Sequence, residues 1–176
     1  MFTEEQVLDI DTFLKNKKSI EGNITWTRDN EKNSYIAKFP LSYNGDLIID
    51  FDFSATANSS GKSELRGGTL KMLHSPKNSK EKIIVCRMHV FPGNYHTNPR
   101  IPNLDVSGWT LIPHKTRFYS WEDMKLLHKN SQISQDKHIA RNIENINNLE
   151  ESIQYFLGYT NVFGSINLPE YDITLL

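Results

Sequence analysis

Between Lys82 and Tyr119 the chain reads KIIVCRMHVFPGNYHTNPRIPNLDVSGWTLIPHKTRFY, and three of its six histidines fall there. His89, His96 and His114 are accompanied by Arg87, Arg100, Arg117, Tyr95, Trp109 and Tyr119. Imidazoles titrate near neutrality and can act as acid and base, while guanidinium groups hold phosphate through paired N–H donors. These are the parts of a metal-independent phosphodiesterase or ribonuclease of the kind small bacterial toxins use. In that role His96 and His114 are the expected acid and base, with His89 as a third catalytic candidate. Arg87, Arg100 and Arg117 form the phosphate clamp, Tyr95 and Trp109 offer stacking surfaces, and Tyr119 joins the same ligand-binding set.

A strand over 82–91 places Arg87 and His89 on one face, opposite Cys86 and Met88. The competing expectation is a half-exposed sheet face on which Arg87 pairs with an acid of the next strand. The loop over 92–105 is long for a compact domain without a role of its own. Within it, Asn98-Pro99 favours an extended backbone that holds His96 in a fixed direction. No metal is expected. There is no His-x-x-x-His on a helix and no cysteine pair, and Asp105 is the one nearby carboxylate for a His89/His96/His114 site. No cofactor motif occurs either. Asp50 and Asp52 mark the wet face of a strand, where two carboxylates could also hold a cation. His128 and His138 fall among lysines on expected helices and read as solvated.

His-x-Thr over His114-Lys115-Thr116 resembles one motif of the two-histidine phosphoesterases, but the second copy that family needs is missing. A different resemblance covers residues 85–123. His96-Thr97-Asn98-Pro99 followed by His114-Lys115-Thr116-Arg117-Phe118-Tyr119 is similar to a pattern in small uncharacterised bacterial and prophage proteins. There a His-x-Asn-Pro segment precedes a His-x-His with an aromatic residue after it. Thr116 stands where the second histidine would be. The resemblance implies a shared site without naming its chemistry.

The whole chain narrows the functions. Its 176 residues suit one domain (1–176) with a sizeable core, and 38% hydrophobic against 23% charged residues suits a globular protein. With 20 basic against 21 acidic residues the net charge is −1, which argues against extended duplex-DNA binding. The single cysteine, Cys86, permits no intrachain disulfide and suits a reducing compartment. No secretion signal or membrane-length apolar run is present, so a cytoplasmic protein without membrane contact is expected. Two functions stand side by side. One is binding of a phosphate-bearing partner, RNA or a nucleotide, with or without cleavage. The other is a non-enzymatic inhibitor, an antitoxin or an anti-defence protein of the anti-CRISPR type. It would grip a host, toxin or defence protein through Trp109, Tyr119, Trp121 and the 92–105 loop. Either fits a small accessory protein of a low-GC bacterium or its phage.

The elements that must position these residues form an α+β fold. It has an antiparallel sheet of about six strands with an N-terminal helix and two C-terminal helices packed on it. Thr3 and Gln6 make a capping box, followed by Val7, Ile10, Phe13 and Leu14 at helical spacing. Strands are expected over 22–28, 34–41 and 46–53, with Asn44-Gly45 as a hairpin turn and Leu47, Ile49, Phe51 and Phe53 facing the core. Residues 54–63 read as a flexible loop. Further strands follow over 64–74, with a bulge at Gly67-Gly68, over 82–91 with Ile84, Cys86, Met88 and Val90 inward, and near 106–112. Ser120 caps a helix ending near His128. Ser134 caps a longer one carrying Ile139, Ile143, Ile146, Leu149, Ile153, Phe156 and Leu157, stopped by Gly158. The tail from 159 suits an edge strand.

Overall fold

The computed structural model describes residues 2–58, 67–77, 79–129 and 138–169. It is an α+β protein. Helix α1 (Glu4–Lys15) starts on the expected capping box, with Thr3 accepting from the Gln6 backbone and the Gln6 side chain accepting from the Thr3 backbone. Ile10 and Phe13 carry its buried stripe.

The strands are β1 (Lys18–Ile20), β2 (Thr27–Asp29), β3 (Ser34–Tyr43), β4 (Asp46–Asn58), β5 (Gly68–His74), β6 (Ile83–Val90) and β9 (Arg117–Tyr119), then β10 (Arg141–Asn142) and β11 (Val162–Phe163). Among the described residues they make one nine-stranded sheet in the order β10-β9-β6-β5-β4-β3-β1-β11, with β2 beside β3. Only the β1–β11 pair among these is parallel. A separate ribbon joins β7 (His96–Thr97) to β8 (Thr110–Leu111). The nine differ from the expected six because the sheet gains β1, β9, β10 and β11, of two or three residues each and too short to print a period, while the strand expected near 106–112 goes to the ribbon. The strand expected over 22–28 reduces to β2, and that near 106–112 reduces to β8 after a run of turns.

The expected hairpin at Asn44-Gly45 joins β3 to β4, both residues taking positive φ. Beyond it the inward alternation fails. Phe39 faces Phe53 but Leu41 faces Ile48, so two residues on β3 answer five on β4, a slip of three. An odd slip exchanges the faces. Phe51 and Phe53 are buried, Ile48 packs on the core, and Leu47 and Ile49 are 64% and 89% exposed. β4 also runs to Asn58, through half of the expected 54–63 loop, while residues 59–66 lie outside the described set.

The expected bulge lies elsewhere too. Met72 faces Cys86 and Leu73 faces Ile84, which leaves Val85 of β6 as the extra residue, buried beside Cys86 rather than on the outer face. Gly68 serves a different need: a Cβ there would stand 2.3 Å from the Thr56 carbonyl oxygen on β4.

Helix α2 (Trp121–Lys129) begins on Ser120, whose hydroxyl accepts from the Asp123 backbone at 3.1 Å. Helix α3 is shorter than expected, Leu149–Thr160. Ser134 lies outside the described residues, but 141–142 is strand and Asn145 turns at positive φ. Asn148 then caps the helix, its side chain accepting from Glu151 at 2.8 Å. Ile139 is buried without a helix around it. Gly158 lies inside α3, which stops instead at Asn161 in the left-handed region. β11 gives the expected tail its edge strand. All three helices send side chains into one core with the sheet: Phe13 stacks on Phe51 at 3.7 Å, and Phe156 meets Phe53 at 5.3 Å and Phe118 at 6.2 Å. Among the described residues no helix is long and apolar enough to cross a membrane.

Candidate functional site: a cationic cluster around Tyr119

β9 alternates its three residues across the sheet. Phe118 joins the helix-side core, and Arg117 and Tyr119 turn to the other face. Antiparallel pairing sets Arg117 directly opposite His89 and Tyr119 directly opposite Arg87. Cross-strand partners share a face, so one patch collects two guanidinium groups, an imidazole and a phenol.

The segment after β6 brings a second imidazole over that patch. Phe91 ends the strand at φ 46, a left-handed turn uncommon for a bulky residue, and the chain returns as the β7–β8 ribbon. Asn98 anchors the ribbon. Its amide donates to the carbonyls of Val106 (3.1 Å) and Ala140 (2.9 Å) and accepts from the Ala140 backbone (2.9 Å). Side-chain bonds to both groups of Ala140 imitate a strand pairing, and they tie the ribbon to the segment that carries His138. His96 Nε2 consequently bonds the His138 carbonyl at 3.1 Å.

Tyr119, 3% exposed, is the hub. The rings of His89, His96 and His138 lie edge-on to it at 5.1, 5.5 and 6.2 Å, and the Arg87 guanidinium stands over it at 4.4 Å. Arg87 Nε is buried without a hydrogen-bond partner. Among the described residues no carboxylate lies within ion-pair distance of Arg87 or Arg117. The expected acid on a neighbouring strand is therefore not found among them.

The missing counter-charge shows in the histidines. His89 is pushed down to about 4, first by burial and then by Arg87, Arg117, His96 and His138. His96 is lowered as well, again mainly by burial, although the His138 carbonyl opposes the shift. Both imidazoles are neutral at pH 7, each keeping one ring nitrogen able to accept.

Several expected members stand apart. Arg117 is in the patch but only 1% exposed, and its Nη2 donates to the carbonyls of Asn94, Ile112 (3.0 Å) and Leu111 (3.4 Å). Its Nε is unpartnered like that of Arg87, but with Nη2 clamping the two legs of the ribbon and the side chain buried it is out of a phosphate's reach. His114 is exposed on a turn at φ 60; its backbone N–H reaches Pro92, and its ring makes none of the contacts around Tyr119. Arg100 is exposed and lies along Gly108. Tyr95 and Trp109 are 67% and 56% exposed on the ribbon, outside the ring cluster. Asp105 is bound to Arg141 instead of the histidines.

His138 and Asn98 were not anticipated. Asn98 before a proline was a signal for backbone direction alone, and the site His138 joins depends on a contact 42 residues away along the chain. The side chain of His128 lies outside the described set. Among the described residues no three His, Cys, Asp or Glu side chains converge to hold a metal ion. Cys86 is buried and its thiol pushed up by burial, so it is no nucleophile.

This arrangement can bind an anion, present hydrogen-bond donors and acceptors to it, and place a ring against it. No family model, no curated protein and no solved structure matches this chain, so its chemistry is read from that geometry.

Proposed function

We propose that the chain binds a phosphate-bearing ligand, RNA or a nucleotide, in the cluster around Tyr119. The observation that carries this is the Arg87 guanidinium, held on the Tyr119 ring with its Nε unpartnered, among three imidazoles and with no described carboxylate in reach. A phosphate would supply the counter-charge and accept from the guanidinium. His89, neutral, would meet it with its ring N–H, whereas the N–H of neutral His96 is already given to the His138 carbonyl; Tyr95, exposed one residue before β7, stands where a base could stack.

Cleavage asks for more than binding, because a phosphodiesterase needs a protonated acid beside a neutral base. The His114 ring makes none of the contacts around Tyr119, so the pair expected from the sequence, His96 with His114, has no support in that cluster. A metal-independent ribonuclease would have to draw on His96 with His89 or His138. Binding is therefore the primary function proposed, and cleavage a secondary one.

The test is titration of the purified chain with inorganic phosphate, AMP and a short single-stranded RNA, followed by calorimetry at low salt. Arg87→Met should weaken each by about tenfold or more, the scale of one charge-assisted contact pair. Equal affinities for the two proteins would refute the site. Labelled RNA incubated without metal, beside a His89→Ala/His96→Ala variant, separates cleavage from binding.

A second function is favoured by the ribbon itself. Tyr95, Trp109 and Ile112 are 67%, 56% and 52% exposed, three large apolar side chains that flank one short two-stranded ribbon. Aromatic residues so displayed suit a protein-binding inhibitor. Under that function Trp109→Ala abolishes activity against the partner and Arg87→Met leaves it intact.

A further inference from the structure

A cleft of about 730 Å³ opens between α1 and the ends of β4 and β5, away from the cluster around Tyr119. Its size is that of a small-molecule site. One wall is a column of near-parallel rings. Phe13 stacks on Phe51 at 3.7 Å and 5°, and Phe51 on His74 at 4.5 Å and 18°. His74 is 2% exposed, yet its Nδ1 has no hydrogen-bond partner.

The charges that act on His74 are two carboxylates. Asp50 and Asp9 both line the cleft, and both pull the His74 pKa up against the larger effect of burial, which lowers it. Among the described residues neither carboxylate is in an ion pair. Lys18 also lines the cleft, but its ammonium is bonded to the carbonyl oxygens of Phe13 and Asn16 and lies over the Phe13 ring at 4.3 Å. It closes the C-terminal end of α1; Lys77 lines the cleft as well, but among the described residues neither lysine reaches Asp9 or Asp50 as an ion pair. Two free carboxylates and a neutral imidazole beside an apolar column present acceptors to a ligand rich in N–H donors. A metal ion does not fit, since among the described residues no three such groups converge.

We propose that this cleft binds a small planar organic cation of the amidinium or guanidinium class. Its N–H groups bond Asp9 and Asp50, and its apolar part lies along the Phe13–Phe51–His74 column. A planar cation with several donors answers two carboxylates at once and packs against aromatic rings, which a hydrated inorganic cation does not. The inference is independent of the phosphate site, because the two sites want ligands of opposite charge.

The probe is benzamidine, titrated into the full chain labelled at histidine and read by the imidazole resonances. A saturable shift of the His74 signals, with His89 unmoved, is expected. Asp50→Asn and Asp9→Asn should each raise the apparent Kd by roughly fivefold or more, the scale of a lost charged hydrogen bond. Asp9 is exposed, so its variant tests the charge without disturbing the core. Absence of a saturable shift, an Asp9→Asn/Asp50→Asn variant that binds as well as the parent, or displacement of benzamidine by inorganic phosphate at the same site would each overturn the proposal.

Discussion

Two arginines flank β9, one on each neighbouring strand, and the protein treats them oppositely. Arg141 on β10 stands across from Phe118, and Arg87 on β6 across from Tyr119. Arg141 spends its guanidinium on two carboxylates, with contacts to Asp123 at 2.9 and 3.1 Å and to Asp105 at 3.0 and 3.2 Å. Both partners hold its pKa above the usual arginine range. Arg87 has a tyrosine ring, an unpartnered Nε, neutral imidazoles and a second guanidinium, Arg117, for company. A charge whose partners are built in belongs to the fold. A charge without them, partly open to solvent, waits for a counter-ion from outside.

Arg117 sharpens the contrast because it lies in the cationic patch and still does structural work. Arg117→Met strips donors from three ribbon carbonyls and should lower stability by about 3–4 kcal/mol, as measured by urea unfolding. A loss under about 1 kcal/mol would show that the ribbon holds itself and that Arg117 is available to ligand after all. On the other side of β9, Asp123 is 5% exposed and also bonds Ser120 at the start of α2. Asp123→Asn should cost about 2–3 kcal/mol by the same measurement.

Acid should act on the cationic side. His89 titrates at about 4 in the fold and near 6.5 unfolded, so between those values the unfolded chain binds the extra proton. Stability is fully held above pH 6.5 and falls as pH drops toward 4, by about 1–2 kcal/mol once partial solvent access is allowed for. His74 and His96 shift in the same direction and add to the slope. The check is unfolding free energy against pH beside His89→Gln, which should flatten part of the slope. An unchanged slope would mean that His89 is solvated.

Arg87→Met is the decisive small effect. It should change stability by less than about 1 kcal/mol, or raise it by relieving repulsion, while weakening phosphate binding. Destabilisation as large as that of Asp123→Asn would erase the distinction between the two arginines. His114→Ala should leave stability and binding unaltered, since its ring touches nothing in the cluster.

What local pattern can encode was legible. Period two put Arg87 and His89 on one face, the capping box started α1, Ser120 started α2, and Asn44-Gly45 made its hairpin. Each depends on residues a few positions apart, where backbone sterics and one or two hydrogen bonds decide. The failures share the opposite cause. Leu47 and Ile49 kept perfect alternation and were exposed by a slip in pairing with a strand the alternation cannot see. Ile139, Ile143 and Ile146 kept helical spacing, yet they lie outside α3, whose start is set by Asn148.

The amino-acid sequence alone determined an α+β protein with a balanced charge, and it concentrated arginine, histidine and tyrosine in one stretch. Tertiary structure decided which of them meet. It drew in His138 through the Asn98 clamp, sent His114 and Arg100 outward, and assigned Arg117 to the ribbon. Side-chain convergence follows from register and from contacts between segments far apart along the chain, and neither leaves a trace in the order of residues.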